Sequence, residues 1–313
     1  MAHAHEHPHE HEHYAGVGPR PLIITLSIVA GVMIAEVIGG LLSNSLALVG
    51  DAGHMLVDGL ALTLSLFAMY LARRPSTLSR TYGYHRVEIM AALANGTVLV
   101  LVAAYIFFEA YQRFREPAEV EAPLMLAVAA VGLVANLAGI MLLKKGSHAS
   151  LNVKGAFWHV ISDTISSVGV IIAGLIIAFT GWPYADPVVA MIIGVIILVG
   201  ALRLVRDSVD ILMEAVPKHI QIENVVEEIQ RVRGVEEIHD IHVWTITSGI
   251  VALSAHLMIQ DQMVSLSNDV RDNVNRMLGE RYGITHTTLQ LECARCESCP
   301  VGVVCQIARP DHE

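Results

Sequence analysis

The 313-residue chain has no cysteine before position 293, and only 16% of its residues are charged and 5% aromatic. The missing cysteines exclude a disulfide-stapled scaffold over most of its length. So few charges against 54% apolar residues argue against a soluble domain and put the chain in the membrane class. No basic block marks a nucleic-acid surface. No Walker A motif is present, so ATP-driven pumping has no support, and no H-E-x-x-H motif supplies an intramembrane metalloprotease with ligands and a general base. The first residues carry no basic n-region, which speaks against a signal peptide. The net charge of −10 comes mostly from acids in the N-terminal tail and the last hundred or so residues.

What is there is a succession of long apolar runs. Six lie near 21–42, 46–72, 84–112, 122–143, 154–179 and 187–205. Each meets or approaches the ~20 residues that a spanning helix requires. Polar breakers such as "RRPSTLSR" and "REPAEVEAP" divide them. With the N-terminus inside, the inner loops carry Arg73, Arg74, Arg80, Arg86, Lys144, Lys145 and Lys154, and Arg203 and Arg206 follow the last run. The outer side has only Arg113 and Arg115. The bias of basic residues therefore places both termini in the cytoplasm.

The expected organisation has four parts. Residues 1–20 form a disordered tail that begins "MAHAHEHPHEHEHY", a metal-collecting segment or a purification tag. Residues 21–208 are the six-helix membrane domain. Residues 209–292 read as a cytoplasmic α+β domain of order αββαβ: helix 219–233, strands 236–246 and 250–260, helix 264–282, strand 286–292. Residues 293–313 are a Cys-rich tail without periodicity. The fold class is thus an α-helical membrane protein followed by a small α+β domain.

Two short stretches inside the apolar runs carry chemistry. "HMLVD" in the second run holds His54 and Asp58, and "HVISD" in the fifth holds His159 and Asp163. Residues four apart share one helix face, so each pair makes a two-donor clamp. Two clamps make four N/O donors, which suits tetrahedral Zn²⁺. Two carboxylates neutralise one divalent ion. Ligands must be deprotonated to bind metal, so protons compete with it, which is the minimum chemistry for metal–proton exchange. Ionisable groups inside a membrane are functional by default, and two matched pairs are harder to explain as helix–helix hydrogen bonds than one. Asp51, one turn before His54, has three open roles: support of the ligands, the mouth of the path, or structure. Glu36, alone in the first run, is read as a packing or pathway residue.

In the C-terminal tail, Cys293, Cys296, Cys299 and Cys305 fall within 13 residues. In a reducing cytoplasm such spacing favours metal over a disulfide. The cytoplasmic domain also carries His239, Asp240, His242 and His256. His239 and His242 are three apart on a strand, so without a bulge they face opposite sides.

Taken together, six spans, H-x₃-D in the second and fifth, and an αββαβ cytoplasmic domain resemble the cation diffusion facilitator family. The stretches "SNSLALVGDAGHMLVDGLAL", "YGYHRVE", "ADPVVAMIIGVIIL" and "HDIHVW" are similar to its zinc-exporting branch. The resemblance implies a homodimeric, proton-coupled exporter working by alternating access. Its cargo is Zn²⁺, with Cd²⁺ and Co²⁺ as further candidates, and H⁺ is the counter-ion. It implies that His54, Asp58, His159 and Asp163 hold the transported ion, with histidine at position 54 in the zinc-preferring form. It implies a regulatory zinc site on His239, His256 and Glu292 near a dimer interface, which Cys293 and Cys296 could complete. Gln290 stands where some members have a histidine ligand. Arg80 and Tyr84 occupy positions where some bacterial members have a second loop site, which is therefore not expected here. Arg86 and Glu214 match a basic residue and an acid that pair between the membrane and cytoplasmic parts.

The sequence thus reads as a non-enzymatic zinc exporter of a bacterial inner membrane, partnered by the lipid bilayer and a second copy of itself, without nucleic acid or ATP. The rival reading is a membrane-anchored zinc sensor or store that moves no metal.

Overall fold

A computed structural model describes residues 20–144 and 151–293. Six long helices come first: α1 (Arg20–Ser43), α2 (Leu46–Ala72), α3 (Val87–Arg115), α4 (Ala122–Lys144), α5 (Leu151–Thr180) and α6 (Ala185–Leu212). Then come α7 (Ile222–Gln230), β1 (Val235–Thr247), β2 (Ile250–Ile259), α8 (Val264–Tyr282) and β3 (His286–Glu292). The order αββαβ is the one expected after the last membrane helix. The His-rich tail, Cys296, Cys299 and Cys305 lie outside the described residues.

At about 1.5 Å per residue, the 23 residues of the shortest membrane helix still cover the ~30 Å hydrocarbon layer. Among the described residues, stretches of α3, α4, α5 and α6 are long and apolar enough to cross a membrane, and α1 has a shorter apolar stretch, Ser27–Ser43. Two boundaries differ from the hydropathy reading. The third helix begins at Val87 rather than near 84, because Thr81–Arg86 form turns around Gly83, whose φ of +68° is left-handed. It runs on to Arg115, just before Glu116, which Pro117 keeps out of the helical region. The sixth continues to Leu212 rather than 205, since charged residues such as Asp207 end an apolar run without ending a helix.

The chain divides into two compact units, one built from residues up to Leu60 with Val98–Ala201, the other from Ala61–Thr97 with Leu202 onward. In the first unit, small residues let helix backbones approach. A Cβ at Gly39 of α1 would stand 2.5 Å from Val128 of α4, and one at Gly174 of α5 would stand 2.8 Å from Leu126 of α4. In a bilayer, where lipid is as apolar as leucine, such close packing is what holds helices together. The turn between α1 and α2 is held by a buried carboxylate. Asp186, the second residue of α6, is fully buried and accepts from the Ser45 hydroxyl at 2.6 Å, Leu46 N at 2.8 Å and Ala47 N at 3.1 Å. Arg113 of α3 binds the same carboxylate at 3.3 Å and the carbonyl of Asn44 at 2.6 Å.

In the second unit, the three strands lie in the order β1-β2-β3. β1 and β2 pair antiparallel through a short turn at Gly249, and β2 and β3 pair parallel, so α8 is the crossover between them. One sheet face packs on the helices through Ile238, Leu253 and Leu257 with Ile229, Val274 and Leu278. Burying that face leaves the opposite face for polar side chains. α8 stops at Gly283, whose φ of +67° lets its N–H return to the Gly279 carbonyl.

Candidate functional site

His54 and Asp58 lie one turn apart on α2, with Nε2 and Oδ2 3.5 Å apart and about a quarter of each side chain exposed. The helix delivers them to one face, as the spacing requires. On α5, Asp163 is 1% exposed. His159 precedes it by one turn on the same helix, and its side chain lies outside what the structure describes.

The buried polar residues around this point come from three helices. Glu36 of α1 and Asp51 of α2 are each 1% exposed. Asp51 and Asp163 are electrostatic neighbours of Glu36, and Ser166 and Asp163 of Asp51. The carboxylate of α5 thus lies within reach of the helix that bears His54, three residues beyond Asp51. Glu36 Oε1 also occupies the space a Cβ would need at Gly132 of α4, 2.7 Å from that position. Glu36 and Asp51 therefore belong to one group with Asp163, which sequence spacing alone does not connect. Nearby, Asn136 of α4 donates to Ser167 of α5 at 3.4 Å, joining those two helices with a polar contact.

The cytoplasmic sheet carries the second candidate centre. His239 Nε2 lies 3.3 Å from Glu292 Oε2, and His256 Nδ1 lies 2.9 Å from Glu292 Oε1. The two imidazoles meet edge to face, their centroids 5.3 Å apart. Donor atoms of His239, His256 and Glu292 fall within 4.8 Å of one another, and the three side chains are buried or half-buried. The register explains the convergence. His239 pairs with His256 across β1–β2, and Met258, two residues on, pairs with Glu292 across β2–β3, so all three project from the polar face. Cys293 directly follows Glu292, is exposed, and lies outside that three-residue group. Gln290 donates to Glu292 Oε1 at 2.7 Å and so buttresses the carboxylate.

Arg86 Nη2 donates to Glu214 Oε1 at 2.7 Å, with both side chains about half exposed. Thr247 at the end of β1 donates to Glu88 at 2.6 Å, a tie between residues far apart in the chain. His85 lines a cleft of about 430 Å³ with Arg74, Tyr82, Ile246 and His286.

A family model described as the cation efflux transmembrane domain matches residues 22–213, and one described as the cation efflux protein cytoplasmic domain matches residues 217–294. The chain belongs to the cation diffusion facilitator family. Among its relatives, the cadmium, cobalt and zinc/H⁺-K⁺ antiporter of Bacillus subtilis is 42% identical over 88% of this chain and 90% of its own length. The metal cation efflux system protein CzcD of Cupriavidus metallidurans is 41% identical over 91% and 90%. The zinc transporter ZitB of Escherichia coli is 39% identical over 88% of each. As a cation diffusion facilitator the chain is an integral membrane metal-cation efflux protein, with a transmembrane domain followed by a cytoplasmic domain.

Proposed function

We propose that this protein exports Zn²⁺ from the cytoplasm in exchange for protons, and that His54, Asp58, His159 and Asp163 are the ligands of the transported ion. The observation that carries the reading is the His54–Asp58 pair, 3.5 Å apart on one face of a membrane helix that also bears Asp51, an electrostatic neighbour of the buried Asp163 of α5. Two imidazoles and two carboxylates give the donor number and type that Zn²⁺ prefers. The carboxylates cancel the ion's charge in a medium that tolerates little net charge. Protons compete for the same donor atoms, so proton entry from the outer side releases metal and metal entry from the cytoplasm releases protons. Helix rocking exposes the four ligands to one side and then the other.

The name of the Bacillus subtilis relative supports a cargo range that includes Cd²⁺ and Co²⁺, and exchange against H⁺ and K⁺. N/O donor sets accept several divalent ions, so selectivity rests on geometry as much as on ligand type. The working form is a homodimer in a bacterial inner membrane with both termini cytoplasmic, in keeping with the basic residues Arg73, Arg74, Arg203 and Arg206 at one set of helix ends. Zinc on His239, His256 and Glu292, joined by Cys293 and Cys296, biases the dimer towards its active arrangement. Arg86 and Glu214 link the membrane helices to that domain.

The test is flux of Zn²⁺, Cd²⁺ and Mn²⁺ into vesicles under a pH gradient. Wild type is expected to move zinc, and Asp58→Ala to move none while still folding. Undiminished zinc flux in Asp58→Ala refutes the ligand assignment. Zinc binding with no zinc movement in wild type refutes export and favours a sensor or store.

A further inference from the structure

The connection between α2 and α3 is rich in cations and empty of acids. No Asp or Glu lies between Asp58 and Glu88, whereas Arg73, Arg74, Arg80 and Arg86 do. Glu214 binds Arg86. Arg73, Arg74 and Arg80 are exposed, and among the described residues no carboxylate pairs with them. Two of these guanidinium groups lie over tyrosine rings instead, Arg74 at 5.8 Å from the centroid of Tyr70 and Arg80 at 4.5 Å from that of Tyr84. An arginine held by its face keeps the N–H groups of its edge for a ligand. That planar fork matches the oxygens of a phosphate.

The backbone of the loop is well defined. Thr77 and Arg80 exchange both backbone hydrogen bonds, at 3.2 and 3.0 Å, so Leu78 and Ser79 form the tip of a tight turn. Leu78 is fully exposed there, and Phe67 and Tyr70 in the last two turns of α2 are more than half exposed. Apolar side chains interleaved with arginine suit the layer where headgroups meet acyl chains.

The same loop borders the cleft of about 430 Å³ that reaches the end of the cytoplasmic sheet. The positive φ of Gly83 folds the loop back on itself. A Cβ there would lie 3.9 Å from the Arg74 carbonyl and 3.8 Å from His85. Arg74, Ser76, Thr81, His85 and His286 line the cleft, and no acid does. Each of these side chains offers an N–H or O–H donor. A cation in the cleft would face Arg74 with no carboxylate to offset its charge, whereas an anion meets a guanidinium and several neutral donors.

Both helices joined by the loop belong to the transmembrane domain. The anion that a membrane surface presents is the phospholipid headgroup. We propose that this cleft and turn bind the phosphate of an anionic phospholipid. Arg74 takes the phosphate in the cleft, Arg73 and Arg80 draw it to the rim, and Leu78 enters the acyl boundary. Because β3 supplies His286, a bound headgroup ties the loop to the cytoplasmic domain, as Arg86–Glu214 and Thr247–Glu88 do without it. The inference is independent of which ion is carried.

The experiment uses the full-length chain in a neutral detergent with phosphatidylglycerol or phosphatidylcholine added. Native mass spectrometry counts the retained lipid, and melting curves check the fold. Wild type is expected to keep phosphatidylglycerol in preference to phosphatidylcholine and to melt higher with it. Arg74→Gln and Arg80→Gln are each expected to weaken the preference about fivefold. Arg206→Gln, at another helix end, is expected to leave it unchanged. Leu78→Ser is expected to retain less lipid than wild type, and glycerol phosphate, which has the headgroup charge but no acyl chains, to compete weakly. No preference in wild type, or equal losses in Arg74→Gln and Arg206→Gln, overturns the site and leaves the loop arginines as general surface charge. Competition by glycerol phosphate as strong as by intact lipid, with Leu78→Ser binding like wild type, overturns the lipid and points to a soluble phosphate compound instead.

Discussion

The Asp186 carboxylate accepts the backbone N–H of Leu46 at 2.8 Å, so the N-terminus of α2 is capped by a residue of α6. The Ser45 hydroxyl and Ala47 N–H bind the same fully buried group, and Arg113 balances its charge. Helix starts leave unpaired N–H groups, and a carboxylate suits both those donors and the positive end of the helix dipole.

Asp186→Ala therefore strands several buried donors and the Arg113 charge. The expected cost is about 3 kcal/mol, together with reduced zinc flux, because α2 carries His54 and Asp58. Asp186→Asn keeps one acceptor oxygen and should lose less on both counts. Thermal unfolding in detergent and vesicle flux measure the two effects. An alanine variant that melts with wild type would show that the cap contributes little to stability.

Gly39 and Gly31 both lie on α1 and offer a paired test. A Cβ at Gly39 meets Val128 at 2.5 Å, whereas one at Gly31 meets nothing within 4 Å. Glycine to alanine in a helix gains up to about 1 kcal/mol of propensity, while overpacking costs about 1–3 kcal/mol. Gly31→Ala should be neutral or slightly stabilising, and Gly39→Ala should lower the melting temperature. Equal melting of the two variants contradicts the close approach of α1 and α4.

The Arg86–Glu214 pair is short but half exposed, so solvent screening should hold its coupling energy to about 1 kcal/mol or less. Glu214 also has a φ of +58°. Glu214→Gly loses the ion pair but removes about 1–2 kcal/mol of left-handed strain. Its melting temperature should match or exceed that of Glu214→Ala. A double-mutant cycle with Arg86→Ala isolates the pair, and a coupling well above that bound would show that screening has been overestimated.

On the proposed ligand set, His54→Asp changes the donors from two nitrogens and two oxygens to one and three. Harder oxygen donors suit Mn²⁺ better than imidazole does. The variant should therefore carry relatively more Mn²⁺ against Zn²⁺ in competitive vesicle flux. A ratio equal to wild type would mean that residue 54 does not set selectivity.

The parts of this protein that read directly from sequence are those governed by short periods. Six apolar runs become six helices because length and composition decide spanning. The H-x₃-D pairs read as clamps because four residues make about one helical turn, and α2 shows His54 and Asp58 together as that spacing requires. What is not legible depends on partners distant in sequence. Asp186 looks like an acid serving the start of its own helix, and only the fold brings it to Leu46. Glu36 looks isolated until α1 sets it beside Asp51 and Asp163. The strand rule puts His239 and His242 on opposite faces. A single extra residue overturns it, and no local signal other than the turn-prone Asp240 marks the place.

The Asp186 cap also fixes a pivot. α2 is pinned at its Leu46 end, His54 is eight residues away and Ala72 twenty-six. At 1.5 Å per residue, a tilt of about 10° about the pin moves His54 by ~2 Å and Ala72 by ~7 Å. The helix is then a lever whose short arm carries His54, one of the proposed ligands, and whose long arm sweeps more than three times as far. A displacement at the far end is geared down about threefold by the time it reaches the proposed ligands.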